Sequence, residues 1–418
     1  MKGKDVLQKG KIATVIISAM MLGGCSYEQE IEQFTHYFEE VGNQHQNIQE
    51  QLSEYVLSEE TLDSESESEA EIQTESREPF VAQEEVRYYA YETLNDEQKA
   101  LYIQLYETMS AMENEALLLV TDPQVLKLVF QYVMNDHPEL FYVGEWSYTT
   151  FSQLEEIRYM TFSVTYTMTS QEVQRQQEQV QMYVNQAMQN APNTTDEYEI
   201  AKYFYEYVIE HTEYDLEAED SQNICSVFIN GKSVCQGYAK ALQYLLQNSG
   251  IEAYLVTGIA NQGLHAWNLV KVNGAYYYID ATWGDASYIL ENGQAVDASM
   301  VPTINYDYLL VTTKDLQRTH QADSQLQVPV CDTMTDNFYI REGLYLDSYN
   351  EEQLTQIFHA FFSRNQKYLT IKCSDDAVYQ EICSKLIGES KVFLFMQNRT
   401  EGITYSENAI QRTLSFWM

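Results

Sequence analysis

The chain has 418 residues, with 24 Lys and Arg against 63 Asp and Glu, which gives a formal net charge of -39 at pH 7. A chain this acidic repels polyanions, so its charge excludes nucleic acid as an expected partner. Hydrophobic residues make up 44% of the chain and its mean hydropathy is -0.40, values that permit packed cores and exclude a polytopic membrane protein. The length predicts two or three domains.

Residues 1–24 are predicted to be a signal peptide rather than part of the fold. Lysines precede an apolar run from Ile12 to Leu22, which is too short to span a bilayer. The run ends in LGGC, which resembles the lipobox of bacterial lipoproteins. That resemblance implies cleavage before Cys25, lipidation of its sulfur, and an extracytoplasmic location on the bacterial cell membrane. An ordinary secretory signal followed by a chance cysteine is the alternative.

Residues 25–83 are predicted to form a stalk and a disordered acidic linker. Apolar residues recur with helical spacing from Ile31 to Val41, which indicates a short stalk helix. The segment from Ser58 to Pro79 is rich in Ser and Glu and cannot bury enough apolar surface to become ordered. We interpret it as a tether that holds the folded part away from the membrane; an acidic binding tail is the alternative.

Two flanking regions are predicted to combine helices and strands. In the N-terminal accessory region, residues 84–195, Asn95 and Asp122-Pro123 signal helix starts, strands follow through YMTFSVTYTM, and a Gln-rich helix runs from Gln171 to Gln189. Residues 329–418 are predicted to form a small C-terminal α+β domain, in which KVFLFMQ is expected to be a strand. We recognise no catalytic pattern in that domain.

The sequence VCQGYAKALQYLLQNSG predicts a helix that begins at Cys235 and is stopped by Gly250. The unpaired N–H groups and the macrodipole at a helix start stabilise an anion, so this position favours a thiolate. Gly237 is expected to keep the surface beside the sulfur free of a side chain. Cys235 is therefore a candidate nucleophile.

The sequences LHAWNLVKV and AYYYIDATW predict two strands joined at Asn273-Gly274, a pair that favours a two-residue type I′ turn. In the resulting register, His265 and Asp280 are diagonal neighbours on one face, with backbones ~7–8 Å apart, so the carboxylate can hydrogen-bond the imidazole. Together with Cys235 they form a Cys-His-Asp arrangement. Cys235 would attack, His265 would take and return the proton, and Asp280 would fix the imidazole tautomer.

Three ordered motifs, SVCQGYAKAL, GLHAWNLV and YYYIDATWGD, resemble those of the transglutaminase-like superfamily, whose core is shared with papain-like cysteine proteases. The resemblance implies an α+β catalytic core over residues 196–328, in which a helix bearing the Cys packs on an antiparallel sheet bearing the His and the Asp. It implies that Cys235, His265 and Asp280 are the catalytic triad.

The same resemblance extends to two neighbouring positions. Gln222 matches a position that helps the backbone N–H of the cysteine to hold an oxyanion. Gly284 departs from the pattern, because related bacterial sequences often have Asp there, and this departure affects only the local loop. A metal site built from the triad would lack a recognisable fourth ligand, and no zinc-spaced cysteine cluster or EF-hand loop is present, so we expect neither a metal nor another cofactor.

The predicted activity is acyl transfer through a thioester, on a peptide or amide bond. Water as the acceptor gives a peptidase or amidase, and an amine gives protein crosslinking. The expected partners are a protein or peptide substrate, with cell-wall peptides among the candidates, and a membrane contacted through the lipid on Cys25. The alternatives are a catalytic fold that has lost turnover and a catalytically silent peptide-binding or structural surface lipoprotein.

Several other residues have two interpretations. Trp267 and Trp283 either pack the hairpin or wall an acyl-binding groove. A lone histidine is more often structural than catalytic, and we assign His320 to the structural class. Once Cys25 is assigned to lipid, an odd number of cysteines remains, so at least one thiol is expected to be free. Cys373 and Cys383 either form a disulfide or are separate buried thiols.

Overall fold

The structure is a computed structural model. It describes residues 16–19, 88–118, 120–153, 156–261, 263–285, 303–323, 327–364, 366–396 and 403–417. The predicted stalk, acidic linker and lipidation site at Cys25 lie outside these residues, as does most of the predicted signal peptide. None of the helices in the described part of the chain combines the length and the apolar content of a membrane span.

In the part of the chain that the structure describes, the N-terminal region combines four helices with an antiparallel sheet. The first strand of this sheet comes from the predicted signal peptide and pairs with the strand Val143–Gln153, which differs from the expectation that residues 1–24 are not part of the fold. The strands are β1 (Ile16–Ala19), β2 (Glu115–Leu118), β3 (Val143–Gln153) and β4 (Glu156–Tyr166), in the order β1-β3-β4-β2. The helices are α1 (Tyr89–Thr93), α2 (Asp96–Ser110), α3 (Pro123–Asp136) and α4 (Ser170–Asn190). The predicted helix starts are confirmed, because Asn95 caps α2 in a reciprocal capping box with Gln98 and Asp122 caps α3.

In the central region, the helix Cys235–Asn248 packs against a four-stranded antiparallel sheet. Its helices are α5 (Glu197–His211), α6 (Cys235–Asn248), α7 (Ala281–Gly284), α8 (Thr313–Leu316) and α9 (Phe338–Arg341). Its strands are β5 (Glu213–Tyr214), β6 (Lys232–Ser233), β7 (Ala253–Ala260), β8 (Gly263–Val272), β9 (Ala275–Ile279) and β10 (His320–Ala322), and the main sheet has the order β10-β7-β8-β9. This is the predicted α+β arrangement of a helix packed on an antiparallel sheet.

The β8–β9 hairpin has the predicted register. Val272 faces Ala275, and both turn residues, Asn273 and Gly274, have the positive φ that a type I′ turn requires. The second strand is shorter than predicted and ends at Ile279. Because the Asp280 side chain accepts a hydrogen bond from the backbone N–H of Trp283, it caps α7 and ends the strand there.

One hydrophobic core joins the N-terminal and central regions. Buried side chains from Ala90 to Tyr339 belong to a single cluster. Two amides of α6 extend the contact with hydrogen bonds: Gln243 Nε2 donates to Asn135 O at 2.7 Å, and Gln247 Nε2 donates to Asp136 O at 2.9 Å. The helix that begins at Cys235 therefore contacts the N-terminal region as well as the central region.

The C-terminal domain has its own core, which runs from Leu346 to Phe416. It consists of β11 (Tyr345–Leu346), α10 (Glu351–Ser363), β12 (Tyr368–Cys373), α11 (Asp376–Cys383), β13 (Thr404–Asn408) and β14 (Thr413–Trp417), with the sheet order β11-β12-β14-β13. The predicted KVFLFMQ strand is wrong, since Lys391–Phe395 form a 3-10 turn. Val392 and Phe395, three residues apart, are buried while the two residues between them are exposed.

Candidate active site

Cys235 is the first residue of α6 and is half-buried. In the described part of the chain, no side chain caps this helix, because its N-cap residue is Val234. No side-chain cap therefore competes for the N–H groups at this helix start, where unpaired N–H groups and the macrodipole stabilise an anion. This local geometry is suited to a thiolate.

Gly237 allows the start of α6 to pack closely on the chain before it. A Cβ atom on Gly237 would lie 1.9 Å from Ser233 Oγ and 2.9 Å from both Ser221 O and Ser226 Oγ. The glycine is buried, so its role differs from the bare surface beside the sulfur that we expected. Its absent side chain instead fixes the position of the helix start.

His265 and Asp280 are in direct contact. His265 Nε2 lies 2.7 Å from Asp280 Oδ2, and the two residues are 7% and 1% exposed. The predicted diagonal placement is thus observed, although Asp280 lies just beyond the strand. The Cys235 side chain also interacts with the imidazole and contributes to the rise in its pKa. Because Nε2 faces the carboxylate, Nδ1 is the nitrogen available to the thiol.

The positive charge of protonated His265 and the negative charge of Asp280 stabilise each other. Burial disfavours a protonated imidazole, but the Asp280 carboxylate overcomes that effect and raises the pKa of His265 to about 10. Burial likewise opposes ionisation of Asp280, but the charge and hydrogen bonds of His265 and His320 hold the pKa of that carboxyl below its ordinary range. The raised pKa of His265 and the lowered pKa of Asp280 both favour an imidazolium–carboxylate ion pair.

His320, which we assigned to the structural class, is buried with both ring nitrogens hydrogen-bonded, and one of its partners is the candidate catalytic Asp280. Strand β10 pairs with β7 and brings His320 Nε2 to 3.0 Å from Asp280 Oδ2, while Nδ1 lies 2.8 Å from Thr319 Oγ1. His320 is buried, and its ring centroid is 5.4 Å from that of His265. His320 is therefore part of the candidate site. Its place within the predicted core, residues 196–328, is what the sequence offers to indicate this.

These three residues also have the donor atoms of a metal site. One atom each from His265, Asp280 and His320 lies within 4.8 Å of the others. The hydrogen bonds of 2.7 Å and 3.0 Å account for that proximity without an ion, since each imidazole is joined to the same carboxylate oxygen. The expectation that the protein uses no metal stays a prediction.

The remaining candidates occupy different environments. Trp267 is 1% exposed and packs against His265 and His320, so it lies beneath the site, whereas Trp283 lines a cleft that reaches His265. Gln222 is half-buried next to Ser221, whose carbonyl accepts a hydrogen bond from Val234 N–H at 3.2 Å. That contact puts Gln222 near the start of α6, and its oxyanion role stays a prediction.

Gly284 has a steric explanation in this chain. A Cβ atom there would lie 2.1 Å from the Tyr205 hydroxyl, which donates to Asn305 O at 2.6 Å. An Asp side chain would displace this buried tyrosine. The following residue, Asp285, supplies a carboxylate instead and accepts a hydrogen bond from Tyr238.

Comparison with known proteins identifies a family for part of the chain. Residues 182–281 match the model of the Transglutaminase-like superfamily. This segment holds Cys235, His265 and Asp280, and it lies in the region where the antiparallel sheet and α6 meet. No curated protein matches the chain.

Three solved structures show weak similarity. A structure described as a TGase is 19% identical over 41% of this chain and 51% of its own, with a TM-score of 0.25. A candidate cysteine protease from Cytophaga hutchinsonii is 14% identical over 33% of this chain and 57% of its own, with a TM-score of 0.23. A candidate protease from Parabacteroides distasonis is 8% identical over 40% of this chain and 37% of its own, with a TM-score of 0.22. This chain thus spans only about half the length of the first two structures, and we base no conclusion on these three matches.

Proposed function

We propose that this chain, which carries a transglutaminase-like domain, is a surface-anchored cysteine enzyme that acts on peptide or amide bonds by acyl transfer. The observation that carries the proposal is the 2.7 Å contact between His265 and Asp280, beside which the Cys235 side chain interacts with the same imidazole. A thiol, a base and an orienting acid in this order are the parts that nucleophilic catalysis requires.

In the proposed reaction, the Cys235 thiolate attacks the carbonyl carbon of the substrate and a C–S bond forms. Protonated His265 gives its proton to the leaving amine as the C–N bond breaks, which leaves a thioester on Cys235. Neutral His265 then takes a proton from water or from an acceptor amine as that molecule attacks the thioester. The acyl group leaves as an acid or as a new amide, and the thiolate–imidazolium pair is restored. Asp280 orients the imidazole throughout.

The test is to incubate the protein with a biotinylated alkylamine and candidate surface proteins, and to identify products by mass spectrometry. We expect amine-labelled or cleaved products that the Cys235→Ala variant does not form. Amine labelling indicates transfer, and cleavage without labelling indicates hydrolysis. Identical products from the wild type and the variant would contradict the mechanism.

The rival proposal is a catalytically silent module that holds a peptide or has a structural role on the cell surface. A thiol-directed electrophile separates the two, because only an activated nucleophile reacts rapidly. Fast, pH-dependent labelling of Cys235 supports the enzyme, and labelling no faster than that of an ordinary exposed thiol supports the silent module.

Surface anchoring is a separate part of the proposal and rests on the LGGC motif. Replacing Cys25 with Ser should release the protein or leave an unprocessed precursor, which detergent-phase partitioning and mass measurement detect. A Cys25→Ser variant that partitions like the wild type would contradict the lipid anchor.

A further inference from the structure

A cleft of about 1460 Å³ separates the central region from the C-terminal domain. Its lining includes His265 and Trp283 at the candidate site and Thr370, Ser415 and Trp417 on the sheet of the C-terminal domain. We propose that this cleft binds an extended polypeptide and that the C-terminal domain is the substrate-selecting part of the molecule. The inference rests on the proposed function and goes beyond it in naming the surface that recognises the substrate.

The C-terminal sheet has one face packed and one face open to the cleft. Leu369, Ile371, Leu414 and Phe416 are buried in the core of the domain. Their neighbours along the strands point the other way, as side chains of a strand alternate between faces. On the open face, the register places Thr370, Ser415 and Ser406 side by side across three strands, with Thr370 Oγ1 2.8 Å from Ser415 Oγ.

The next row of the same face is aromatic. Tyr368 lies opposite Trp417 on the neighbouring strand, and both line the cleft. The outermost strand, β13, is at the edge of the sheet, and its residues from Thr404 to Glu407 are exposed. An edge strand offers backbone N–H and C=O groups with which an extended chain can pair.

Helix α10 forms another wall of the cleft. Gln353, Gln356, Ala360 and Arg364 all line it. Their spacing of three to four residues puts them on one side of the helix. Gln353 Nε2 donates to Tyr345 O at 2.9 Å, so Gln356 supplies the exposed amide of this wall that can donate to and accept from the backbone of a peptide.

The volume of the cleft and the charged residues in its lining indicate which class of molecule it binds. The volume exceeds the ~300–1,000 Å³ typical of small-ligand sites, so an oligomeric chain fits better than a metabolite. Lys202 and Glu342 in the lining form a 2.7 Å ion pair and neutralise each other. The other acidic and basic side chains of the lining carry both signs, and they are Asp307, Arg364, Lys367 and Glu407. Amides, hydroxyls and aromatic rings make up most of the remaining lining, which suits a polypeptide rather than a lipid or a nucleic acid. A glycan shares some of this chemistry, but the lining includes the His265 imidazole, whose proposed reaction is on an amide bond.

Buried polar contacts hold the C-terminal domain against the central region. Arg412 donates to Asp315 at 2.6 Å, and Thr413 Oγ1 donates to Asp307 at 3.0 Å. These two aspartates belong to the central region and are buried, as are their partners. The open face of the sheet is therefore fixed at a set distance from the catalytic residues.

The experiment measures binding without turnover. Fluorescein-labelled β-casein, an unfolded polypeptide, is titrated with the full chain carrying Cys235→Ala, and the fluorescence anisotropy is recorded. Gln356→Trp and Ser406→Trp place bulk at two exposed positions that line the cleft. Thr355→Trp is the matched control, because Thr355 is exposed on the same helix but is outside the lining. A thermal unfolding scan verifies that each variant is folded.

We expect each cleft variant to weaken β-casein binding at least about tenfold and Thr355→Trp to leave it unchanged. Equal binding by the cleft variants and the control would overturn the proposal, as would binding of a soluble chitin oligosaccharide in place of β-casein, or of neither probe. The proposed activity fails separately: if the cleft variants lose binding while the wild type forms no Cys235-dependent product, the cleft assignment stands and the enzyme assignment falls.

Discussion

The Nε2 atom of His320 lies 3.0 Å from Oδ2 of Asp280, and both side chains are buried. The same oxygen lies 2.7 Å from His265 Nε2, while Oδ1 accepts a hydrogen bond from the Trp283 backbone at 3.1 Å. Three donors from three elements of the chain thus fix the carboxylate. His320 therefore positions the group that orients the candidate catalytic imidazole.

Replacing His320 with Phe should slow iodoacetamide alkylation of Cys235 about tenfold at neutral pH. The variant fills the volume but removes one donor from a charged acceptor, a loss on the order of 1.5–3 kcal/mol. His320→Gln should recover most of the rate, because its amide can also donate to Asp280. The pH profile of alkylation is the measurement, and a Phe variant with the wild-type profile would show that His320 is only a packing residue.

Asp280→Asn should reduce turnover ~10–10³-fold, less than the ~10⁴-fold that the same substitution costs in the triad of a serine protease. The loss is smaller because a thiolate–imidazolium pair needs less help than a neutral hydroxyl. The amide keeps the shape of the carboxylate but favours the wrong imidazole tautomer. Initial rates across pH 6–9, where perturbed Cys and His groups commonly titrate, are the measurement. Undiminished turnover over that range would refute the orienting role.

A register change provides an independent test of the same geometry. One residue inserted between Asn273 and Gly274 should damage activity at least as much as Asp280→Asn if the strand pairing shifts, because it would turn Asp280 to the opposite face. Circular dichroism separates a shifted hairpin from an unfolded chain. A folded insertion variant with full activity would show that the hairpin does not set the position of Asp280.

Alkylation at neutral pH should modify Cys235 before any other thiol in the described part of the chain. Burial raises the pKa of Cys225, Cys331 and Cys373 to about 12, and it also raises the pKa of Cys383. Peptide mapping after brief treatment should find the label on Cys235, and Cys235→Ala should remove the fast phase with little change in unfolding midpoint. Preferential labelling of Cys383 would contradict this expectation.

The stability of the fold should decline from near-neutral to alkaline pH. The folded-state pKa of His265, about 10, is above its ordinary value of 6.5, so protonated His265 contributes fully below about pH 6.5 and its contribution is lost as the pH rises towards 10. Urea unfolding at several pH values should show a steeper loss for the wild type than for His265→Gln. Parallel curves would indicate that the ion pair with Asp280 does not contribute.

The hairpin and the Cys235 helix were predictable because their signals are local. Asn273-Gly274 determines a turn type, the turn determines the register, and the register brings Asp280 to His265. Gly250 marks the end of the helix through its positive φ of 83°. These relationships involve residues close together in the chain.

His320 was not predictable as a site residue because its contact with Asp280 spans 40 residues. It depends on the pairing of His320 with Ala260 across β10 and β7, and no turn connects those strands directly. The error at KVFLFMQ has a different cause. A short apolar run has no periodicity that separates a strand from a helical turn, so only the packing of Val392 and Phe395 decides it.

The hydrophobic core shared by the N-terminal and central regions affects how such a domain can pass between proteins. Cut at the predicted core boundary of residue 196, the chain would lose Asn135 and Asp136, the carbonyl acceptors of Gln243 and Gln247 on the cysteine-bearing helix. The cut would also expose the apolar side chains of the shared core to water, at ~25 cal/mol for each Å² of apolar surface, a cost that is large against the stability of a single domain. Recombination that keeps the helix intact must therefore transfer the preceding helices with it, so the inherited unit is larger than the catalytic motifs alone.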